Sequence, residues 1–149
     1  MGPAPRALLT AVALAFGVGA AGSLAAQTAP VANTWTRISH EGEYPVQYLD
    51  VRHVRRTGQT ASIWSLQDSG PNAILAKDKP FLSSKYLVEY DCTRPVHRTL
   101  FYARYSGHMG AGSLTASDPK PEDWIPNPPN APPVAQAMSA ACNAAAPAR

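Results

Sequence analysis

The sequence predicts an α+β fold: a single antiparallel β-sheet of about five to six strands, with a C-terminal helix packed on it and tied by one disulfide. Three observations predict it. Short runs of alternating side chains recur through residues 34–117, separated by Gly, Pro, Asn and Asp turns. One stretch near the C-terminus switches to four-residue spacing. The two cysteines, Cys92 and Cys142, lie on one strand and on that helix.

The stretch from Ser83 to Cys92 is the clearest strand. Residues two apart share a face, so Tyr86, Val88, Tyr90 and Cys92 point one way and Leu87, Glu89 and Asp91 the other. In the helix, Pro132 to Ala144, the four-residue spacing of Val134, Met138 and Cys142 makes an apolar stripe that Ala137 and Ala141 widen. Each thiol thus sits on the apolar side of its element, and a helix laid on the sheet brings them together. A structural bridge is the reading of this pair, with two free thiols or a redox role as the alternatives. Their separation of 50 positions fits neither a CxxC motif nor a zinc ligand pair.

The chain opens on a different composition. Arg6, the apolar run Ala7 to Gly22 and the small residues Ser23, Ala25 and Ala26 have the layout of a secretory signal, with cleavage after Ala25 or Ala26. The run of 16 residues is shorter than the ~20 a spanning helix needs. Residues 1–26 are therefore assigned as a signal peptide and 27–33 as a flexible lead-in. About 120 residues then remain, enough to bury a modest core. Export also places the cysteines in an oxidising compartment, the periplasm, the cell surface or the medium.

The strands follow in order. Thr34 to Ser39 is the first, with Trp35, Arg37 and Ser39 in phase. Val46 to Arg56 is a longer run, with Val46, Tyr48 and Asp50 on one face and Gln47, Leu49, Val51 and His53 on the other. Thr57-Gly58-Gln59 turns the chain into Thr60 to Gln67, a hairpin signal. After a loop through Phe81 come the strands Ser83 to Cys92 and Val96 to Tyr105, then a glycine-rich loop from Ser106 to Gly112 and a short strand from Ser113 to Ser117. Seven prolines between Pro119 and Pro133 predict an extended strap over 118–133 that pairs with no strand, pinned to the core by Trp124 and Ile125. Asn130 is placed to cap the helix. The domain spans 34–144, followed by a disordered tail, 145–149.

Composition excludes several function classes. Formal charge falls from +3 to +2 once Arg6 is cleaved away, with no dense basic block, so nucleic acid is not an expected partner. No stretch after the signal is apolar enough to span a membrane. His40, His53, His97 and His108 are scattered, although His53 and His97 can meet on neighbouring strands, and no metal site or other cofactor is expected. No Gly-x-Ser-x-Gly elbow accompanies a base, and Ser106-Gly107-His108 is merely three neighbours in a loop, so no catalytic residues are assigned. Glu89 and Asp91 share a strand face and Asp50 lies near Arg98 in the expected sheet; the pattern reads as ion pairs of Arg98 or Arg94 that order the turn after Cys92. Arg52, Arg55, Arg56, Lys77, Lys79 and Lys85 form either a scattered solvated surface or a contact for anionic sugars, lipid head groups or an acidic protein. The proline-rich run is either a strap or a ligand for an aromatic groove.

Taken in order, Trp35, Tyr48-Leu49-Asp50, Arg55, Gly58, Trp64-Ser65-Leu66, Asp68, Ser84-Lys85, Glu89-Tyr90-Asp91-Cys92, Arg98, Tyr105-Ser106, Met109-Gly110, Gly112, Trp124 and Cys142 make a pattern over nearly the whole domain. It resembles the surface-adhesin protein E family of Gram-negative envelope proteins. The resemblance implies a small antiparallel sheet with a disulfide-tied C-terminal helix and a non-enzymatic role. It also implies extracellular-matrix or envelope proteins as partners, since the best-known member binds matrix and serum proteins and plasminogen. That member is a lipoprotein, whereas this chain lacks a lipidation cysteine. The expectation is an exported, adhesin-like binding module. The alternatives are a periplasmic carrier of a small ligand held between sheet and helix, or a structural envelope factor. Oligomeric state is not legible in the sequence.

Overall fold

The computed structural model describes residues 34–144, so the segments expected to be a signal peptide, a lead-in and a tail lie outside the described residues. Eight strands form one sheet: β1 Thr36–Arg37, β2 Val46–Leu49, β3 Arg55–Thr57, β4 Thr60–Asp68, β5 Ser83–Asp91, β6 Val96–Tyr105, β7 Leu114–Asp118 and β8 Ile125–Pro126. One helix, α1, spans Pro132–Asn143. Every pairing is antiparallel, in the order β1-β2-β4-β5-β6-β7, with β3 beside β4 and β8 beside β6. No helix among the described residues is long and apolar enough to cross a membrane.

The extra strands come from two places. The expected run Val46–Arg56 is broken into β2 and β3. Both pair with β4, through Leu49–Ser65 and Arg55–Ser62, so five residues oppose two. Asp50 causes the break: its carbonyl accepts the His53 N–H and its carboxylate accepts His53 Nδ1 at 2.9 Å, a local turn that outcompetes the ladder. Val51 is pushed out and is 41% exposed.

The second place is the proline-rich strap, which does pair with the sheet. Ile125 and Pro126 lie along His97 and Val96 at the end of β6. An edge tolerates proline because one side of the strand needs no donor. Ile125 is 48% exposed, so it does not anchor the strap in the core as expected. Backbone bonds from Glu122 N–H to Thr99 and from Asn127 N–H to Pro95 hold the segment instead. The hairpin of β3 and β4 forms as predicted around Gly58, whose φ of +60° favours glycine.

The core is thin. Leu49, Ala61, Ile63 and Tyr90 meet Ala137 and Ala141 of α1, flanked by Val134, Met138, Val88 and the half-cystines. The Cys92–Cys142 disulfide closes this contact, with Cα atoms 5.6 Å apart. Arg56 donates to the Cys142 carbonyl at the same end. Asn130 does not cap the helix: Ala131 holds the cap position with no side-chain bond. Pro132 and Pro133 fill the first turn and have no N–H, which removes two of the donors a cap would serve.

Candidate functional site

Strand alternation gives the sheet two different faces. On β4 and β5, Ala61, Ile63, Val88 and Tyr90 turn toward α1. Their neighbours Ser62, Trp64, Leu87 and Glu89 turn the other way, where among the described residues no α-helix packs and the single 3-10 turn His108–Gly110 sits at one end, on Asp68 and Lys85. Arg98, Phe101 and Tyr105 continue this second face on β6, Trp35 and Asp50 at the β1–β2 edge.

The helix-free face carries the aromatic surface. Trp64 meets Phe101 edge-on with ring centroids 5.8 Å apart. The Arg98 guanidinium stacks 4.7 Å from the Trp124 ring while its Nη2 reaches Glu89 Oε2 at 2.7 Å. Thr60 donates a further hydrogen bond to Glu89 at 2.9 Å. All three tryptophans of the chain therefore lie on this one face.

Two clefts open there with Trp64 as a shared wall. One, of about 330 Å³, is lined by Trp35, Asp50, Trp64, Lys85 and Tyr105. Lys85 Nζ lies 5.1 Å from the Tyr105 ring and 5.9 Å from the Trp35 ring. The other, of about 550 Å³, runs past His53, Arg55, Leu87 and Glu89. The cleft between sheet and helix holds only about 170 Å³, below the ~300 Å³ at which small-ligand sites begin.

Two polar locks frame this face. At one end the loop Ser106–Gly112 is tied down through buried Asp68, which accepts from His108 Nδ1 at 2.9 Å and from the Met109 and Gly70 N–H groups. Burial opposes ionisation of Asp68, but those N–H groups and His108 outweigh it and hold the carboxyl below the usual carboxylate range. Gly110, at φ +75°, packs so closely on the Lys85 stem that a Cβ would overlap Lys85 Cε. At the other end Asp91 accepts from the Thr93 hydroxyl, the Thr93 N–H and Arg94, which keep its carboxyl far below the usual range. Glu89 and Asp91 are thus each in an arginine ion pair, and Asp50 is partnered by His53, not by Arg98, from which β4 and β5 separate it. His97 does not meet His53; it bonds Asn127 Oδ1 at 2.6 Å and stacks on Tyr90, whose hydroxyl burial pushes up to about 12. Among the described residues no three His, Cys, Asp or Glu side chains gather in a metal-binding group.

Of the residues singled out in the sequence, Trp35, Asp50, Trp64, Glu89, Arg98, Tyr105 and Trp124 are brought to the helix-free face and Gly110 packs behind it. Tyr90, Cys92 and Cys142 belong to the opposite, helix-covered face. Gly112 takes a φ of +77° in the loop beside Ser106. Sequence reasoning missed the weight of Lys85, and of Leu87 and Phe101 as neighbours of Trp64. The signal was present: Lys85, Leu87 and Glu89 alternate in phase on β5.

A family model described as surface-adhesin protein E matches residues 35–143. This chain belongs to the surface-adhesin protein E family. The solved structure of Haemophilus influenzae protein E matches with a TM-score of 0.52 at 14% identity, covering 74% of this chain and 86% of that one. A crystal structure of protein E from non-typeable Haemophilus influenzae matches with a TM-score of 0.52 at 12% identity, over 73% of this chain and 75% of that one. At such identities the likeness is one of fold. Among curated proteins none matches in sequence. The family match spans both the helix clamp and the aromatic clefts.

Proposed function

We propose that this chain is an exported, non-catalytic interaction module of the bacterial cell envelope, adhesin-like in role, whose helix-free face meets a protein partner outside the cytoplasm. Residues 1–26 direct export and are removed, and the domain acts in the periplasm or at the cell surface. Membership of the surface-adhesin protein E family supports the role. The observation that carries the choice of face is the gathering of Trp35, Trp64 and Trp124 on the side that α1 leaves open. The three indoles are half-buried, and aromatic residues and arginines are what protein interfaces concentrate, while one covalent clamp keeps the other face shut. Extracellular-matrix proteins and envelope proteins are the partners to test.

The test is surface resonance of the processed chain over immobilised matrix proteins and envelope extracts, comparing wild type with Trp64→Ala and with Gln136→Ala/Ser139→Ala on the exposed side of α1. Saturable binding lost in Trp64→Ala and kept in the helix variant is expected. Binding lost only in the helix variant would overturn the choice of face. Substrate turnover without any saturable partner would overturn the role.

A further inference from the structure

Two cations, three aromatic rings and two carboxylates converge on the paired clefts. We infer that the clefts bind an acidic oligosaccharide, a chain of carboxylated pyranose rings; this rests on the reading of the helix-free face as the contact surface.

The first cleft supplies three complementary elements. Trp35, Trp64 and Tyr105 offer flat rings whose negative faces suit the polarised C–H faces of a sugar ring. Lys85 supplies a donor-only cation, held between two of those rings and in no ion pair among the described residues. Asp50 supplies acceptors: both of its oxygens reach His53 Nδ1, at 3.0 and 2.9 Å, and a carboxylate has about four lone-pair sites.

The carboxylate decides between ligand classes. A phosphodiester or an acidic peptide side chain presents acceptors alone, and inorganic phosphate carries its P–OH groups on the anion itself, so each sets its own charge against Asp50. A carboxylated sugar brings an anion for Lys85 and hydroxyl donors for Asp50 on one rigid ring. The second cleft, across Trp64, holds a second cation, Arg55, beside Glu89, whose charge Arg98 already pairs. Arg55 pairs in register with Ser62 and Lys85 with Leu66, four β4 positions or about 13 Å along the strand at ~3.3 Å per residue; β3 and β5 flank β4 on opposite sides, so two strand spacings of ~4.8 Å bring the separation of the two backbone positions to roughly 16 Å. That spacing suits a chain of sugars with repeating charge better than a single ring.

The experiment is calorimetric titration of the processed chain, with indole fluorescence as a second readout. The probes are tetragalacturonate, neutral maltotetraose, a tetraglutamate peptide and inorganic phosphate. Expected is saturable binding of tetragalacturonate, at least tenfold tighter than the other three. Lys85→Met should weaken it tenfold or more and the weak maltotetraose binding by threefold or less, and Lys85→Arg should restore most of it. Asp50→Asn should weaken both saccharides; Asp50 is buried, so Trp64→Phe, which keeps a ring in the shared wall, gives a variant less exposed to misfolding, with an expected loss of threefold or less against tenfold or more for Trp64→Ala. Tetraglutamate or phosphate binding as tightly as tetragalacturonate, tetragalacturonate binding untouched by Lys85→Met, or no saccharide binding at all would overturn the assignment. Protein capture that is lost in Trp64→Ala while no saccharide binds would overturn the saccharide and leave the face as the protein contact. Saccharide binding with protein capture intact in Trp64→Ala would overturn the protein-contact reading alone.

Discussion

Replacing Cys142 by serine cuts the disulfide that ties α1 to the end of β5. The bridge closes a loop of 50 residues, and on the chain-entropy relation that restraint stabilises the folded state by about 4 kcal/mol. The non-covalent hold on the helix is of similar size. Ala137 and Ala141 each bury a methyl group worth ~0.8 kcal/mol, and half-buried Val134 and Met138 add roughly 1 kcal/mol each. A twelve-residue helix is marginal on its own, so this packing alone must keep it formed once the bridge is gone. For a domain whose total stability is of order 5–15 kcal/mol, the loss is a large fraction. With a urea slope near 1.5 kcal/mol per molar, the unfolding midpoint should fall by about 2–3 M. Urea unfolding followed by tryptophan fluorescence measures it, because every tryptophan reports from the opposite face. Limited proteolysis should then cut after about Pro129 much faster than in the parent. A midpoint lowered by less than about 0.5 M, with residues 130–144 equally protected, would refute the clamp.

Other outcomes follow from the two locks and the ion pair. Asp68 and Asp91 have folded-state pKa values below those of the unfolded chain, so each contributes stability that is full above about pH 4 and is lost as pH falls through the folded value; acid titration of the unfolding midpoint should therefore show a decline below pH 4 that Asp68→Asn reduces. Asp68→Asn should itself cost about 1–3 kcal/mol at neutral pH by weakening the Met109 and Gly70 bonds, measured by the same urea curves. Glu89→Gln removes the charge from a partly buried pair and leaves Arg98 without its ion-pair partner, for a loss of about 1–2 kcal/mol in denaturant unfolding. Gly110→Ala forces a side chain into a φ of +75° and against Lys85, at a cost of about 1–2 kcal/mol, and should also alter tetragalacturonate affinity by displacing the lysine.

The sheet and the clamp were legible because their signals are local. Alternation on β4 and β5 predicted which side chains share a face, and Val134, Met138 and Cys142 predicted the docking stripe; on β6 the phase expected for Leu100 with Tyr102 fails, because a bulge opposite Leu87 and Val88 turns Leu100 into the cleft of Leu87 and Glu89. The hairpin around Gly58 needed only its two-residue turn. The break at Asp50 escaped because an Asp–His turn interrupts an alternating run without a glycine or proline to mark it. The pairing of Ile125 and Pro126 escaped because composition cannot say which side of a strand faces an edge. The clefts were half legible. Trp35, Asp50, Trp64 and Tyr105 were singled out by the family pattern, but strand order, a long-range property, is what places Lys85 among them.

The central claim is that the open aromatic face, not the clamped helix, makes contact. The three indole N–H signals of the ¹⁵N-labelled processed chain report on that face directly, and the Gln136 and Ser139 amides report on α1. On titration with a partner protein captured by surface resonance, the Trp35 and Trp64 indoles should shift or broaden at saturation while Gln136 and Ser139 stay in place. Three unmoved indoles alongside shifts centred on α1 would contradict the account.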